Sequence, residues 1–266
     1  DRQQDDERES RRSYTPTQLN ALVSRGFGAK RFHLITQHGQ PPAGAAGRKA
    51  FRVLPHLEDD EGFWLGHADF LPAVERLGRR AELDAWLVEQ VRNALQGLQQ
   101  PPPEQVLLSL GPQTLIAADN SAIETLARLS REPKLADCRI VICSNPEEIH
   151  RSAVDVSRLR AMVHRLGCGF GLERIGLDAK SLAILDQSEP DIAIMHSQLT
   201  RAALRSGSFA IGLESVVRAA ERLKAETVLT GVDDQAARQL AEKVGASLAF
   251  GFVIGKPSPM LFQAVA

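Results

Sequence analysis

Cysteine is scarce in this 266-residue chain: three stand at Cys138, Cys143 and Cys168, with no CxxC spacing. That argues against a disulfide framework and against a structural zinc site. A reducing cytoplasm is the expected compartment. Charge imbalance is lacking too. Lys and Arg number 32 against 33 Asp and Glu, a net charge of −1, so nothing marks a generalised surface for a nucleic-acid polymer or an anionic membrane. No apolar run approaches the roughly 20 residues that span a bilayer, so no membrane insertion is expected in this segment. No GxGxxG or P-loop follows any apolar run, which weakens an open, nucleotide-binding doubly wound sheet.

What is present is ordinary globular composition, 43% hydrophobic and 24% charged, enough for one large domain with a full core. The opening "DRQQDDERESRR" holds nine charges of both signs and no large apolar residue, so it cannot order itself by burial. Residues 1–16 read as a charged tail or linker and 17–266 as the domain. The charged start is compatible with an upstream membrane tether on an otherwise cytoplasmic domain.

"RFHLITQ" (31–37) and "KAFRVLPHL" (49–57) read as strands joined by a Gly/Pro loop too broken for a helix, and therefore as antiparallel neighbours. Two helical segments follow, with Leu83, Trp86, Leu87, Val91 and Leu95 at helical spacing. The chain then repeats strand and helix. Strands at 105–110, 138–143, 168–174, 191–196, 226–231 and 246–252 precede helices near 113–130, 147–166, 178–187, 208–224, 234–244 and from Pro259. Asn145 and Pro146 make a good helix start. Eight apolar strands in one domain predict an α/β fold, a (β/α)8 TIM-like barrel with its first strand reversed.

Such a barrel places its chemistry at the C-terminal ends of the strands. Those ends carry Arg52 and His56, Ser109, Cys143, Glu173 and Arg174, Ile194 and His196, Thr230 and Asp233, and Phe250. A two-metal hydrolase needs several carboxylates around its ions. Here Glu173 is the one clear strand-end carboxylate, with Asp233 further out. An arginine near a divalent ion is repelled by about 4 kcal/mol per unit charge at about 4 Å and an effective dielectric near 20. Ser109 has no GxSxG elbow. Cys143 with His196 is a nucleophile–base pair on paper only; a small strand-end residue and a rim histidine is the better reading. His33 and His38 are a poor metal pair, facing opposite sides of a strand. His67, His150 and His164 are expected in solvent.

Several segments, in order, resemble EAL domains, the bacterial cyclic di-GMP phosphodiesterases. "HADFLPAVERLGRRAELDAWLVEQV" is similar to the family's EFIP loop and LD-x-W helix. "VLLSLGPQTL" is similar to its NLS strand, "FGLERIGLDAKSL" to F-x-LDDFG-x-G-x-SSL, "LTGVDD" to AEGVE, and "GFVIGKP" to its terminal G-x-x-x-G-x-P. The resemblance runs from about 31 to 259 and implies the EAL barrel with its antiparallel first strand. Carried over by position, the signature glutamate falls on Arg52 and the ligand-contacting arginine on His56. The metal asparagine falls on Ser109 and the next metal glutamate on Cys143. The aspartate pair falls on Glu173 and Arg174, and the catalytic lysine on Ile194. The seventh-strand glutamate falls on Thr230 and the eighth-strand glutamine on Phe250. Scaffold residues such as Phe170, Leu172, Gly231, Gly255 and Pro257 match far better than chemical ones.

The resemblance therefore implies a degenerate member: no catalytic residues, no metal, no cofactor, and a regulatory role through an unidentified protein partner. Homodimerisation after the fifth strand is what the family suggests. Cyclic di-GMP binding without hydrolysis is the second reading, not the favoured one, and an active phosphodiesterase is the least expected of the three. Glu173 and Arg174 read as vestiges, one of which is expected to bond a neighbouring strand end and tie the mouth together.

Overall fold

The computed structural model describes residues 13–117, 121–259 and 261–263; most of the charged tail, 1–12, lies outside them. The first element is one the apolar pattern did not reveal. Helix α1 (Pro16–Ala29) starts on Thr15, whose hydroxyl accepts from Gln18 N while Thr15 N donates to the Gln18 side chain. This reciprocal cap, with Pro16 in the first turn, fixes the start. Tyr14 Oη adds a bond to Asp59 at 2.6 Å, so the chain is anchored from there onward.

Strands β1 (Phe32–Gly39) and β2 (Ala50–Glu58) pair antiparallel over their whole length. A short β3 (Trp64–Gly66) adds to the outer end of β2. It leads into α2 (His67–Arg76) and α3 (Arg80–Gln96), the two helices expected there. The barrel then continues through β4 (Gln105–Ser109), β5 (Arg139–Ser144), β6 (Gly169–Ile175), β7 (Ile192–Met195), β8 (Glu226–Thr230) and β9 (Leu248–Phe250). From β2 through β4 to β9 every neighbour is parallel. Gln40 and Ala249 exchange backbone hydrogen bonds at 3.2 and 2.9 Å and close the ring. The fold is a TIM-like α/β barrel whose first strand is reversed, with β3 as an appendage outside the ring.

The helices depart from the sequence reading in detail. The segment expected near 113–130 is two helices, α4 (Pro112–Ile116) and α5 (Ser121–Leu129). The one near 147–166 splits into α6 (Pro146–Ser152) and α7 (Val156–Arg165) because Ala153 turns left-handed and Asp155 caps a fresh start. α8 spans Ala179–Ser188. The expected 208–224 helix is preceded by another: α9 (Ser197–Arg205) joins α10 (Gly207–Arg222) at Ser206. α11 spans Gln235–Val244. The helix expected from Pro259 is not formed over the described residues there. Ser258 instead bridges to Thr36, and Phe262 N donates to Thr36 Oγ1 at 3.2 Å, which spends that segment on β1.

Apolar burial follows this layout. One inner cluster fills the barrel, with Ala50, Leu107, Val141, Ile192, Val228 and Phe250 among its members. The large outer cluster lies between sheet and helices. A separate cluster under α1 and α2 joins Leu22, Phe32, Leu57 and Phe70. Gly26 is required there, since a Cβ would stand 2.7 Å from Leu57 Cδ1.

Candidate functional site

Strands that run parallel deliver their C-terminal residues to one end, and inward-facing residues alternate along each. The mouth so formed holds a cavity of only about 40 Å³. Of the candidate positions, Arg52, Ser109, Cys143, Glu173, Ile194, Thr230 and Phe250 line it together. His56, Arg174 and Asp233 do not.

Arg52 and Phe250 fill the space. The Arg52 guanidinium lies 5.5 Å from the centre of the Phe250 ring, a contact worth about 0.5–2 kcal/mol. Its Nε donates to Gln37 Oε1 at 2.7 Å, and Gln37 Nε2 donates to Gly255 O at 2.8 Å. Burial lowers the Arg52 pKa; the carboxylates of Glu173 and Asp233 act against that. Phe250 needs Gly39 beside it, because a Cβ there would stand 2.5 Å from the ring. Thr230 Oγ1 is committed to Met195 O at 2.8 Å. Burial, reinforced by Glu173, pushes the Cys143 thiol well above its ordinary range, so it offers no thiolate.

Cys143 and His196 do not form a pair. Cys143 faces the inner cavity, whereas His196 caps α9, its Nδ1 accepting from Gln198 N at 3.0 Å. His196 lies instead in a neighbouring cleft of about 530 Å³ with Arg174, Asn145, Glu147, Asp178 and Lys180. Burial lowers its pKa, and Arg174 and Arg201 lower it further.

Glu173 and Arg174 are separated by backbone geometry. The β6–β7 register shifts between Leu172 and Ile175, and Arg174 has φ of +60°. A left-handed arginine costs about 1–3 kcal/mol. The bulge aims Glu173 into the inner cavity and Arg174 into the outer cleft. Contrary to expectation, among the described residues neither side chain makes a hydrogen bond or ion pair. The reason is local: Arg52, the cation lining the inner cavity, is already engaged by Gln37 and Phe250, and Arg174 lies in the outer cleft instead. The mouth is tied by the Arg52–Gln37–Gly255 chain.

The remaining positions are peripheral. His56 Nδ1 stands 3.3 Å from Leu54 O, and burial lowers its pKa. Asp233 accepts from Phe252 N at 3.1 Å and stands 3.9 Å from Arg201. His67, expected in solvent, packs on Phe70 at 5.7 Å between ring centres. Burial, with Arg80, Arg174 and His56 nearby, pushes its pKa down to about 3. His150 is exposed as expected; His164 is exposed but bonds Asp191 at 2.8 Å.

A polar network on the flank of the mouth escaped the sequence reading. Arg80 Nε donates to Asp84 at 2.9 Å. Asp84 also accepts from Gly111 N and Thr114 Oγ1 at 2.8 and 2.6 Å. Arg80 Nη1 reaches Glu148 at 3.4 Å. Burial pushes Glu148 up to about 7, and Arg80 only partly opposes it. The i,i+4 placement of Arg80 and Asp84 at a helix start was the available signal.

A divalent ion asks for about six oxygen ligands. The inner cavity offers one carboxylate, two hydroxyls, a thiol and a guanidinium, and this set does not fit such an ion. Among the described residues, no group of three or more His, Cys, Asp or Glu is placed to hold a metal. Among them, too, no helix is long and apolar enough to cross a membrane.

A family model described as the EAL domain matches residues 35–257. Solved structures with a similar fold include the FimX EAL domain from Pseudomonas aeruginosa bound to c-di-GMP. It shares 15% identity, covers 92% of this chain and 98% of that one, and superposes with a TM-score of 0.76. The Xanthomonas citri FimX EAL domain in complex with c-di-GMP gives 16%, 99%, 100% and 0.71 for the same quantities. Vibrio cholerae LapD, as its S helix-GGDEF-EAL portion, gives 18% identity and a TM-score of 0.72, with 91% of this chain covered and 57% of that one. At these identities the likeness establishes the fold. No curated protein matches the chain by sequence.

Proposed function

The chain belongs to the EAL-domain family, and we propose that within it this is a non-hydrolysing regulatory module that works by contacting another protein. The observation that carries the reading is the plugged mouth. Arg52 and Phe250 occupy the space where the family resemblance places a metal glutamate and a glutamine, and about 40 Å³ remains. Small-molecule sites usually measure about 300–1,000 Å³. A cation in that position also opposes divalent ions. The positions Ser109, Cys143, Ile194 and Thr230 supply no replacement base or ligand set, and Glu173 stands there without a second carboxylate.

A second reading has one observation behind it. The cleft beside Arg174 measures about 530 Å³ and presents Arg174 and Lys180, and the two FimX relatives were solved with c-di-GMP. On that reading the domain senses the nucleotide without cleaving it, through guanidinium and ammonium contacts to phosphate.

Two measurements on the full chain decide. Incubation of cyclic di-GMP with Mg²⁺ or Mn²⁺ is expected to leave it uncleaved; turnover that Glu173→Ala abolishes would overturn the non-hydrolysing assignment. Calorimetric titration at moderate salt is expected to give no heat of binding. A dissociation constant of about 1 μM or tighter, lost in Arg174→Ala, would replace the first reading with the second.

A further inference from the structure

The corner between α9 and α10 leaves a groove of about 360 Å³ lined by Gln198, Arg201, Ala202, Arg205, Ser206 and Phe209. It lies outside the mouth and takes no part in the site described above. Arg201 and Arg205 stand one helical turn apart on α9, on one face. Arg201 donates to Ser197 Oγ at 3.1 Å and has only a long 3.9 Å contact with Asp233. The Arg205 side chain makes no hydrogen bond or ion pair among the described residues. No carboxylate lines the groove.

The edge is apolar. Phe209 is 46% exposed and Ile211 69%. Leu177, itself exposed, packs against Gly212 so closely that a Cβ there would stand 2.6 Å from its Cδ1. Scattered exposed apolar residues need no explanation, but Phe209 lines the cationic groove itself, beside Arg205 and Ser206. Arginine beside an exposed aromatic is the composition that dominates binding energy in protein interfaces.

We propose that this groove docks an acidic segment of another protein, whose carboxylates meet Arg201 and Arg205 while an apolar side chain lies on Phe209. The inference supplies the partner chemistry for the interaction role and rests on that reading. Guanidinium forks match carboxylates with two parallel hydrogen bonds, and Arg205 has its full donor set free for one. With Arg201 and Arg205 among its lining residues and Asp233 reaching only Arg201, at 3.9 Å, the groove favours an acidic chain over a basic one.

The test is fluorescence anisotropy of the full chain with a labelled peptide of Glu-Glu and Phe-Leu pairs in alternation, at moderate salt. The wild type is expected to bind saturably. Arg205→Glu is expected to weaken binding by about tenfold or more, and Phe209→Ala by several-fold. Arg128→Glu, an exposed arginine on α5, is expected to leave it unchanged. All three are surface changes, and thermal melts of the variants check that the fold persists. Absent binding, or equal affinity in Arg205→Glu and wild type, overturns the proposal. So does a dimer in sedimentation velocity that Arg205→Glu converts to monomer, which would assign the groove to a second copy. Assaying the same samples for cyclic di-GMP turnover keeps the two readings apart. Turnover with peptide binding intact sinks the non-hydrolysing role and leaves the groove; neither turnover nor binding sinks the groove alone.

Discussion

The two ends of the barrel each hold an arginine that reaches inward, and the two are stabilised in opposite ways. At the floor, Arg139 at the start of β5 donates to Glu226 at 2.7 Å and pairs with Asp191 at 3.3 Å. Asp191 in turn accepts from Phe170 N at 2.7 Å and from His164. Gly169 makes room, since a Cβ would stand 3.2 Å from Arg139 Nε. At the mouth, Arg52 has an amide and a ring as its partners. The carboxylate nearest in function, Glu173, acts on it only through its field. The floor is a satisfied ion-pair network, and such networks hold structure. The mouth carries a cation whose burial is incompletely compensated, which is the condition associated with functional positions. Here the cavity around it measures about 40 Å³, and on the proposed reading Arg52 blocks the pocket without serving it.

The largest expected effect comes from removing the plug. Phe250 is fully buried, and Phe250→Ala is expected to lower the unfolding free energy by about 3–5 kcal/mol. Urea unfolding measures it. A loss under about 1 kcal/mol would mean that the ring is not packed as described and that the mouth closes by other means.

The flank of the mouth lies between these extremes, because Glu148 has one cation at 3.4 Å and little else. Its carboxyl is pushed from the ordinary 4.5 to about 7. The folded state therefore holds this proton more tightly than the unfolded chain does. The stabilising contribution is fully present below about 4.5 and is lost as pH rises through about 7, up to about 3 kcal/mol in all. Wild-type stability is expected to fall across that window relative to Glu148→Gln. A stability gap between the two that stays level from pH 4.5 to 8 would show that Arg80 keeps Glu148 ionised throughout.

Much of this was legible in the sequence for a physical reason. Parallel strands buried on both faces read as unbroken apolar runs, and their C-terminal ends must share one rim. That brought Arg52, Ser109, Cys143, Glu173, Ile194, Thr230 and Phe250 to a common cavity. What stayed hidden depends on packing distances or on single dihedrals. The left-handed turn at Arg174 sends its side chain to a different cleft from Glu173, and no residue type announces it. Ring stacking of Arg52 on Phe250 joins residues far apart in the chain. α9 was missed because His196 is an unusual cap. The start of α1 was not hidden at all: Thr15, Pro16 and Gln18 spell a capping box, overlooked beside a charged tail.

The comparison of the two ends has a direct test in a pair of charge-removing changes. Arg139→Met strands Glu226 at the floor and takes one of three partners from Asp191. Breaking a fully buried pair costs about 3–5 kcal/mol; with a quarter of the Arg139 side chain exposed, solvent screening reduces the expectation to about 2 kcal/mol. Arg52→Met leaves Gln37 Oε1 without a donor, a cost of about 1 kcal/mol, and forfeits the ring contact. Against these, it removes a cation whose charge burial disfavours, and methionine can lie on the same ring. The net change is expected within about 1 kcal/mol of zero. Equal losses in urea unfolding would refute the contrast and make Arg52 a structural arginine like Arg139. A loss confined to Arg139→Met would show that the fold does not need a guanidinium at the mouth. Its presence there would then have to be explained by what it keeps out.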